Sequence, residues 1–432
     1  MTTATFTITN QADLKFKMLN WANQFNIFCL LDNNSYQHNE PEFDCIVAAG
    51  CKRSLQFRKG NSFAALQDFY ESKPGWLFGH LGYDLKNEVE NLGSRYQPLV
   101  DFGMGFFFEP EIVIRLQKHE LTITCEEKFH QQILDNINSQ SAEIAYKIPA
   151  ELSLQSRMTK VAYLQAVTAL KEHIRRGDCY EINFCQQYFS HNAILDPLYT
   201  YSELLKHSPN PFAAFYKLDG KYCLCASPER YLKKDGQMLL SQPIKGTSKR
   251  HVENAIEDLS SKQALQSSRK ERSENVMVVD LVRNDLSRIS KEGSVHVEEL
   301  FGIYSFPQVH QMISTVKAEL AEGVHWTEVI KATFPMGSMT GAPKKRVMEL
   351  IDEYETAARG LFSGSIGYIT ADGDFDFNVV IRSIFYDEAE RNVFFSVGGA
   401  ITFASNAEDE YQECMLKAEA IMKVLGVKEE QE

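Results

Sequence analysis

The sequence has 432 residues, a length that suits two domains or one large α/β unit with a distinct N-terminal part. Hydrophobic residues make up 44% and charged residues 24%, and the net charge of −13 argues against the basic surface of a nucleic-acid-binding protein. No apolar run approaches the ~18 residues that a membrane span needs, and the N-terminus lacks the pattern of a secretory signal. Nine scattered cysteines without a Cys-x-x-Cys pair predict a reducing compartment, so we expect a cytoplasmic protein that binds neither nucleic acid nor membrane.

The first part of the chain is predicted to consist mainly of short strands. Apolar runs between turn residues indicate strands at Phe25–Leu31, Trp76–Leu81 and Glu111–Leu116. The segment Asn136–Met158 is polar and irregular, which predicts a boundary there. We therefore divide the chain into an N-terminal region, residues 1–145, and a larger region, residues 155–428.

Helical periodicity is clear in the larger region. Thr159 is predicted to cap a helix that ends near Gly177, and a second helix fits Ser273–Ile289. A third helix follows the loop 336–341, with Pro343 near its first position, and the last runs from a capping box at Ser405 to Leu425.

The strands of the larger region are mostly linked by hairpins, which disfavours a parallel doubly wound sheet. They are predicted at Tyr180–Tyr188, Phe212–Lys217, Tyr222–Ala226, Gly364–Thr370, Asp376–Phe385 and Val393–Val397.

Two helices carry glutamates three residues apart. Glu271 and Glu274 share a face of one helix, and Glu410 and Glu413 share a face of another. Two such helices facing each other would form the oxygen-rich site that Mg²⁺ prefers, although pairs at this spacing usually lie on a solvated surface. Lys417, one turn after Glu413, would either receive a substrate anion or pair with that glutamate.

Two glycine-containing segments have alternative interpretations. The loop Gly337–Gly341 precedes a helix, so it is either an anion-binding loop or a tight turn before a proline. Gly398 and Gly399 follow a strand and would either let a ligand approach the backbone or form a bulge.

Lys245 lies between Pro243 and Gly246, in a turn that would hold its side chain in place. A nucleophilic or basic lysine must lose its proton, which burial or nearby cations would favour. The alternative is an exposed turn lysine. Taken alone, Glu229 is likewise an ordinary carboxylate.

Taken together, these motifs resemble the chorismate-binding family, whose members make anthranilate, aminodeoxychorismate, isochorismate or salicylate. The resemblance spans roughly residues 157–425, with the motifs in the family's order and spacing. The motifs are Ser227-Pro228-Glu229-Arg230, Pro-Ile-Lys-Gly-Thr at 243–247, the run 274–286, Gly-Ser-Met-Thr-Gly-Ala-Pro-Lys at 337–344, Gly-Ser-Ile-Gly-Tyr at 364–368 and Glu-Tyr-Gln-Glu at 410–413.

The resemblance implies an α/β (α+β) fold of two packed antiparallel β-sheets flanked by helices, like that of anthranilate synthase component I. It also implies roles for individual residues. Lys245 would be the nucleophile that attacks C2 of chorismate, and Glu229 the general acid that protonates the departing C4 hydroxyl. Mg²⁺ would be held by Glu271, Glu274, Glu410 and Glu413. The substrate would be bound by Gly246, Thr247, His310, Thr340, Tyr368, Arg382, Gly398, Gly399, Ala400 and Lys417.

The product is predicted from Lys245, because family members with lysine in Pro-Ile-x-Gly-Thr make aminodeoxychorismate, whereas those that make anthranilate usually have alanine. Ammonia would add at C4 and expel the lysine, in a pathway leading to 4-aminobenzoate and folate. Since the chain has no candidate Cys-His-Glu glutaminase, we expect ammonia from a separate glutamine amidotransferase subunit.

Two positions depart from the family pattern. Ala400 stands where many relatives have a third glycine, a small change that we expect to be tolerated. The segment Leu30–Tyr36 lacks the Leu-Leu-Glu-Ser run of tryptophan-inhibited anthranilate synthases, so we do not expect tryptophan inhibition. Two alternatives stay open. One is the same fold with anthranilate, isochorismate or salicylate as product, and the other is a non-catalytic chorismate-binding subunit.

Overall fold

The computed structural model describes residues 1–8, 10–36, 43–143, 152–307 and 309–427. The strands in these ranges are β1 (Thr2–Thr7), β2 (Ile27–Asp32), β3 (Cys45–Ala49), β4 (Arg53–Gln56), β5 (Leu77–Leu81), β6 (Gly105–Glu109), β7 (Ile112–Gln117), β8 (Glu120–Cys125), β9 (Gln155–Ser156), β10 (Glu181–Ser190), β11 (Phe212–Leu218), β12 (Lys221–Ser227), β13 (Arg230–Asp235), β14 (Met238–Gln242), β15 (Ile244–Lys249), β16 (His296–Ser305), β17 (Val309–Glu319), β18 (Gly341–Ala342), β19 (Ser365–Ile369), β20 (Phe375–Asn378), β21 (Ser383–Asp387) and β22 (Asn392–Thr402).

The helices are α1 (Gln11–Ala22), α2 (Ser62–Ser72), α3 (Lys86–Val89), α4 (His130–Asn138), α5 (Lys160–Arg176), α6 (Pro197–His207), α7 (Ala255–Ser267), α8 (Arg269–Ser287), α9 (Trp326–Thr333), α10 (Lys344–Tyr354) and α11 (Ala407–Val424). None of the helices within the described ranges has both the length and the apolar character needed to cross a membrane.

The strands form two sheets in which the described neighbours pair antiparallel. The twelve-stranded sheet has the order β1-β8-β7-β3-β2-β11-β12-β21-β22-β10-β18, with β9 also paired to β10. The ten-stranded sheet has the order β15-β17-β14-β13-β20-β19-β5-β6-β4, with β16 also paired to β17.

An aromatic core fills the space between the two sheets. Phe78 and Phe107 of the ten-stranded sheet belong to the same buried cluster as Tyr216 and Cys223 of the twelve-stranded sheet. A second buried cluster joins the outer face of the twelve-stranded sheet to α1, α4, α5, α6, α10 and α11. Helices α2, α7 and α8 lie against the ten-stranded sheet. The expected fold, two packed antiparallel sheets flanked by helices, is therefore confirmed.

The predicted strand Asp376–Phe385 is wrong in one respect, because it is two strands in different sheets. β20 ends at Asn378 in the ten-stranded sheet, and β21 begins at Ser383 in the twelve-stranded sheet. Between them Arg382 has a φ of 51°, the left-handed conformation that an L-residue rarely adopts. The chain changes sheets at this residue, which an apolar run in the sequence does not reveal.

Local capping explains how well the helix ends were predicted. The Thr159 side chain caps α5 and Gly177 ends it with a φ of 82°, as expected. The predicted second helix begins earlier, at Arg269, because the Ser268 side chain accepts a hydrogen bond from the Glu271 N–H. Asn406, rather than Ser405, caps α11, since its side chain accepts from the N–H groups of Glu408 and Asp409.

The division at 145–155 stays a prediction. Residues 144–151 lie outside the described part of the chain, and α4 extends into the predicted boundary segment as far as Asn138. Each sheet combines strands from both regions: β2 pairs with β11, and β5 pairs with β19. The two regions therefore share both sheets.

Candidate active site

One pocket gathers most of the predicted site residues. It is bordered by β15, β22, α8, α11 and the crossing between the sheets. The predicted residues that line it are Glu229, Lys245, Gly246, Thr247, Glu271, Glu274, Arg382, Gly398, Gly399, Ala400, Glu413 and Lys417. Ser338 of the loop Gly337–Gly341 also lines it, as do Asn183, Gln311 and Phe362, which the sequence did not indicate.

The Lys245 side chain is held inside the protein by an irregularity in β15. The register between β15 and β17 shifts between Ile244 and Thr247, and Gly246 has a φ of 96°. Such a bulge redirects a side chain, and Lys245 is only 9% exposed. The alternative of an exposed turn lysine is therefore wrong.

The charge state of Lys245 differs from the sequence expectation. Burial lowers its pKa, but the carboxylates of Glu181 and Glu274 outweigh burial and raise the pKa above its usual value. Its Nζ lies 3.0 Å from Glu181 Oε1. Burial or nearby cations were expected to favour loss of the proton by a nucleophilic lysine, whereas here a contacting carboxylate favours the protonated form.

Glu229 has the properties of a proton donor near neutral pH. Its side chain is 4% exposed, and burial raises its pKa to about 7 against the opposing effects of the Ser338 hydroxyl and the Lys245 ammonium. A carboxyl with this pKa is partly protonated at neutral pH, which suits general acid catalysis.

Arg382 points a guanidinium group at the pocket without a carboxylate partner. Among the described residues, none forms an ion pair with it, and burial lowers its pKa to about 10. A planar guanidinium in such surroundings is a receptor for an anion, and its fork geometry matches a carboxylate.

The predicted metal-site glutamates converge around an ammonium group. Lys270 Nζ lies 3.0 Å from Glu410 Oε1 and 3.9 Å from the nearest oxygens of Glu274 and Glu413. Within the described ranges, no three His, Cys, Asp or Glu side chains are grouped closely enough to hold a metal ion. Glu410 does not line the pocket, since it lies behind Gly399, where an added Cβ would be 3.2 Å from Glu410 Oε2.

The donor chemistry of these glutamates nevertheless fits Mg²⁺. Carboxylate oxygens are the hard ligands that this ion prefers. Glu274 Oε1 is buried without a hydrogen-bond partner among the described residues, and burial raises the pKa of Glu274 to about 8. A bound cation would compensate this carboxylate.

Protein neighbours require glycine at position 398, whereas Gly399 faces only the ends of the Glu410 and Glu413 side chains. An added Cβ on Gly398 would lie 2.4 Å from Cys185 Sγ and 2.5 Å from the Phe184 carbonyl oxygen in β10. The bulge interpretation is wrong, because β10 and β22 pair in continuous register past both glycines. Their lack of side chains lets β22 lie close to β10 and leaves room for the glutamates of α11.

The loop Gly337–Gly341 fits the tight-turn interpretation. Gly341 packs against β10, where an added Cβ would lie 2.1 Å from the Glu181 carbonyl oxygen, and Pro343 directly precedes α10. Only Ser338 and Met339 of this loop reach the pocket. The predicted residue Thr340 does not line it, because its hydroxyl donates to the Met336 carbonyl within the loop.

His310 and Tyr368 also lie outside the pocket lining. His310 Nδ1 is 2.9 Å from Ser305 Oγ and its Nε2 is 3.2 Å from Asp258 Oδ1. Tyr368 packs on Trp76, at 5.4 Å between ring centroids, and lines a different cavity with Asp32 and Asn33.

Strand geometry explains why Gln311 lines the pocket. Successive side chains of a strand point to opposite faces, and Gln311 pairs with the pocket residue Thr247 across β15 and β17. Gln311 therefore faces the pocket and His310 does not. The Thr247 register is the signal that would have identified Gln311, but it requires the pairing of distant strands. From the segment before β19, Phe362 reaches the pocket instead of Tyr368.

The fold and this pocket define the class of protein. Residues 28–423 match the family model described as chorismate binding enzyme, so the chain belongs to the family of chorismate-binding enzymes.

Relatives within the family include aminodeoxychorismate synthase component 1 of Escherichia coli K12, which is 34% identical over 354 residues, covering 81% of this chain and 77% of the relative. The component 1 protein of Bacillus subtilis is 37% identical over 279 residues, covering 65% of this chain and 58% of the relative. The chloroplastic aminodeoxychorismate synthase of Arabidopsis thaliana is 36% identical over 367 residues, covering 80% of this chain and 40% of the relative.

Solved structures share the architecture. Anthranilate synthase component I from Streptococcus pneumoniae superposes with a TM-score of 0.76 at 25% identity, covering 87% of this chain and 91% of that one. The menaquinone-specific isochorismate synthase from Escherichia coli gives a TM-score of 0.73 at 16% identity over 98% of this chain and 95% of that one. The second likeness concerns the fold alone.

Proposed function

We propose that the chain is an aminodeoxychorismate synthase that replaces the C4 hydroxyl of chorismate with an amino group. One observation supports this most: Lys245 is buried in the same pocket as Glu229, which has a pKa of about 7. A buried lysine in one pocket with a partly protonated carboxylic acid supplies an acid and, once the lysine has lost its proton, a nucleophile. The names of the relatives at 34–37% identity support the same activity.

The pocket would bind chorismate through its two carboxylates. Arg382 offers an unpaired guanidinium for bidentate contact with one of them. Lys417 is fixed by Glu413 Oε1 at 2.7 Å and by the Gly398 carbonyl at 2.9 Å, so it contributes positive charge at a defined place. These contacts would orient the ring for attack by Lys245.

The reaction would proceed by two displacements on the ring. Lys245 Nζ bonds to C2, the ring double bonds shift, and the C4 hydroxyl leaves as water with a proton from Glu229. Ammonia then bonds to C4, the double bonds shift back, and Lys245 leaves C2. The new ammonium group returns a proton to Glu229, so the enzyme ends as it began.

Mg²⁺ is part of this proposal. Glu271, Glu274, Glu410 and Glu413 would hold it, and when bound it would neutralise a substrate carboxylate and stabilise developing negative charge. The support is the carboxylate donor set and Glu274 Oε1, which has no hydrogen-bond partner among the described residues.

Ammonia would come from a separate glutamine amidotransferase subunit. The support is that the bacterial relatives are named as component 1, which implies another component. Free ammonium would replace that subunit in an assay of the isolated chain.

The decisive experiment is product identification. The purified chain is incubated with chorismate, Mg²⁺ and ammonium, and the products are identified by mass spectrometry. We expect aminodeoxychorismate, with loss of turnover and of the covalent adduct in Lys245→Ala. Lys249→Ala, an exposed lysine of the same strand, serves as the control that retains both. Anthranilate, isochorismate or salicylate as the main product would refute the proposal.

A further inference from the structure

Glu181 makes a contact with Lys245 that the reaction described above leaves unexplained. Among the described residues, it is the one carboxylate within ion-pair distance of Lys245 Nζ, at 3.0 Å. The Glu181 side chain is only 1% exposed, so its contact with the lysine is shielded from water. Such a group acts on the lysine directly, without exchange through bulk solvent.

The backbone holds Glu181 in a fixed position. Its strand, β10, pairs with Thr402 of β22 on one side and with Ala342 of β18 on the other at this residue. The close approach of Gly341 to the Glu181 carbonyl adds to this constraint. The carboxylate therefore reaches Lys245 from a rigid strand and from outside the pocket lining.

The second carboxylate oxygen is available to take part in proton transfer. Glu181 Oε2 is buried without a hydrogen-bond partner among the described residues. Buried carboxylates normally accept several hydrogen bonds, so a single partner leaves this one with unused acceptor capacity. A proton on Oε2 would therefore break no hydrogen bond to a described residue.

We propose that Glu181 positions Lys245 and accepts a proton from its Nζ when the lysine attacks chorismate. This inference rests on the proposed function, because it requires Lys245 to become a nucleophile. An ammonium has no lone pair, and transfer of one proton to Glu181 gives the neutral amine and a neutral carboxylic acid. When the lysine later leaves C2 as an amine, Glu181 returns that proton and both groups regain their charges.

The proton balance of each step closes. The amine lone pair forms the bond to C2 and leaves a secondary ammonium, while Glu229 supplies the separate proton that departs with the C4 hydroxyl as water. Ammonia bonds to C4 with its lone pair and the ring double bonds shift back, while the C2–N bond breaks with its electron pair on Nζ, so the lysine leaves as a neutral amine. The overall change is chorismate plus ammonia to aminodeoxychorismate plus water.

The other charged groups around Lys245 are less suited to this role. Glu274 of α8 raises the pKa of Lys245 but is not within ion-pair distance of Nζ. Lys417 of α11 lowers that pKa and, as a cation, cannot accept the proton. Glu229 is assigned to the leaving hydroxyl. The geometry thus favours one proton acceptor for the lysine and a different donor for the substrate.

The test compares Glu181→Gln with the wild-type chain in single-turnover formation of the Lys245 adduct, measured by rapid quench and intact mass. Glutamine keeps the hydrogen bond but cannot take the proton. We expect the rate constant to fall about 100-fold at pH 7.5, as for loss of a general base, and the chorismate KM to stay within about threefold. At pH 9.5 the rate constant of Glu181→Gln should be less than about tenfold below that of the wild type, because hydroxide then removes the proton from Lys245 Nζ.

Two outcomes would overturn the inference. A wild-type chain without the adduct removes its basis together with the proposed function. An adduct in the wild type with a Glu181→Gln rate constant within about threefold at pH 7.5 overturns the inference alone. If Glu181→Gln does not fold, Glu181→Asp decides instead. It keeps a carboxylate, and we expect slower adduct formation with the wild-type dependence on pH, whereas a dependence shifted by a pH unit or more contradicts the proposal.

Discussion

Arg359 and Glu355 form a bidentate ion pair that supports two sides of the pocket. Arg359 Nε and Nη2 donate to the two carboxylate oxygens of Glu355 at 3.0 and 2.6 Å, and both side chains are buried. The same guanidinium donates to the carbonyls of Asn183 and Met339, two residues that line the pocket. The pair therefore fixes β10 relative to the loop before α10.

Arg359→Met should destabilise the protein strongly. It leaves Glu355 as an unpaired buried carboxylate, which costs about 3–5 kcal/mol in comparable ion pairs. Urea unfolding measures the change. Arg346→Met removes an exposed pair with Glu349 on α10 and should cost less than about 1 kcal/mol. Equal losses in the two variants would contradict a supporting role for Arg359.

These residues illustrate what the sequence could predict. Lys245 and Glu229 were predicted because each belongs to a compact motif whose residues stay together in any fold, and Arg382 was predicted from the family resemblance alone. Glu181 and Gln311 were missed, since their places depend on which distant strands pair and in which register. A shift of one residue along a strand reverses the face, which is why Gln311 lines the pocket although its neighbour His310 does not.

The sheet architecture shows the same limit. Strand segments were predicted within a few residues from apolar runs, for example β5 and β7. The crossing between Asn378 and Ser383 was not predicted, because it includes a left-handed backbone conformation at Arg382, and arginine does not favour that conformation. Local patterns indicate elements, whereas the pocket depends on how the two sheets meet.

Glu229 should control the alkaline side of the pH profile. Its pKa of about 7 means that the free enzyme loses the acid as pH rises through 7. We expect kcat/KM to fall about tenfold per pH unit above that value, and Glu229→Gln to lack this limb and to be slower by about 10²–10⁴-fold at neutral pH. A wild-type profile that stays flat to pH 9 would refute this role.

The raised pKa of Glu229 should also make the free energy of unfolding depend on pH, and replacing Glu229 should increase stability although it lowers activity. Its pKa is raised in the folded protein from the ordinary 4.5, so the folded state binds more protons and stability falls as pH rises from about 4.5 to about 7. Glu229→Gln removes this loss. The free energy of unfolding of the variant minus that of the wild type should therefore be about 3 kcal/mol larger at pH 8 than at pH 4. Urea titrations at the two pH values measure it, with exposed Glu257→Gln as the unchanged control.

Arg382→Gly should separate substrate binding from stability. Glycine adopts a φ of 51° without strain, so the free energy of unfolding should change by less than about 1 kcal/mol. Loss of the carboxylate contact should lower kcat/KM for chorismate by about 100-fold. Arg382→Lys keeps the charge without the fork and should fall between. A glycine variant with wild-type kcat/KM would show that the guanidinium does not bind substrate.

Mg²⁺ should bind the glutamates of α8 and α11 and stabilise the folded chain. At a free concentration of about 100 times its Kd the ion should add about 2.7 kcal/mol, which thermal unfolding detects as a higher Tm. Glu274→Gln and Glu413→Gln should each raise the Kd for Mg²⁺ at least tenfold, because each removes a charged oxygen ligand. The rise in Tm at the same Mg²⁺ concentration should then be smaller. Glu419→Gln, an exposed glutamate on the same helix as Glu413, should respond to Mg²⁺ like the wild type. Chelation with EDTA should abolish turnover and added Mg²⁺ should restore it, whereas an equal Tm response in all three variants would place the ion elsewhere.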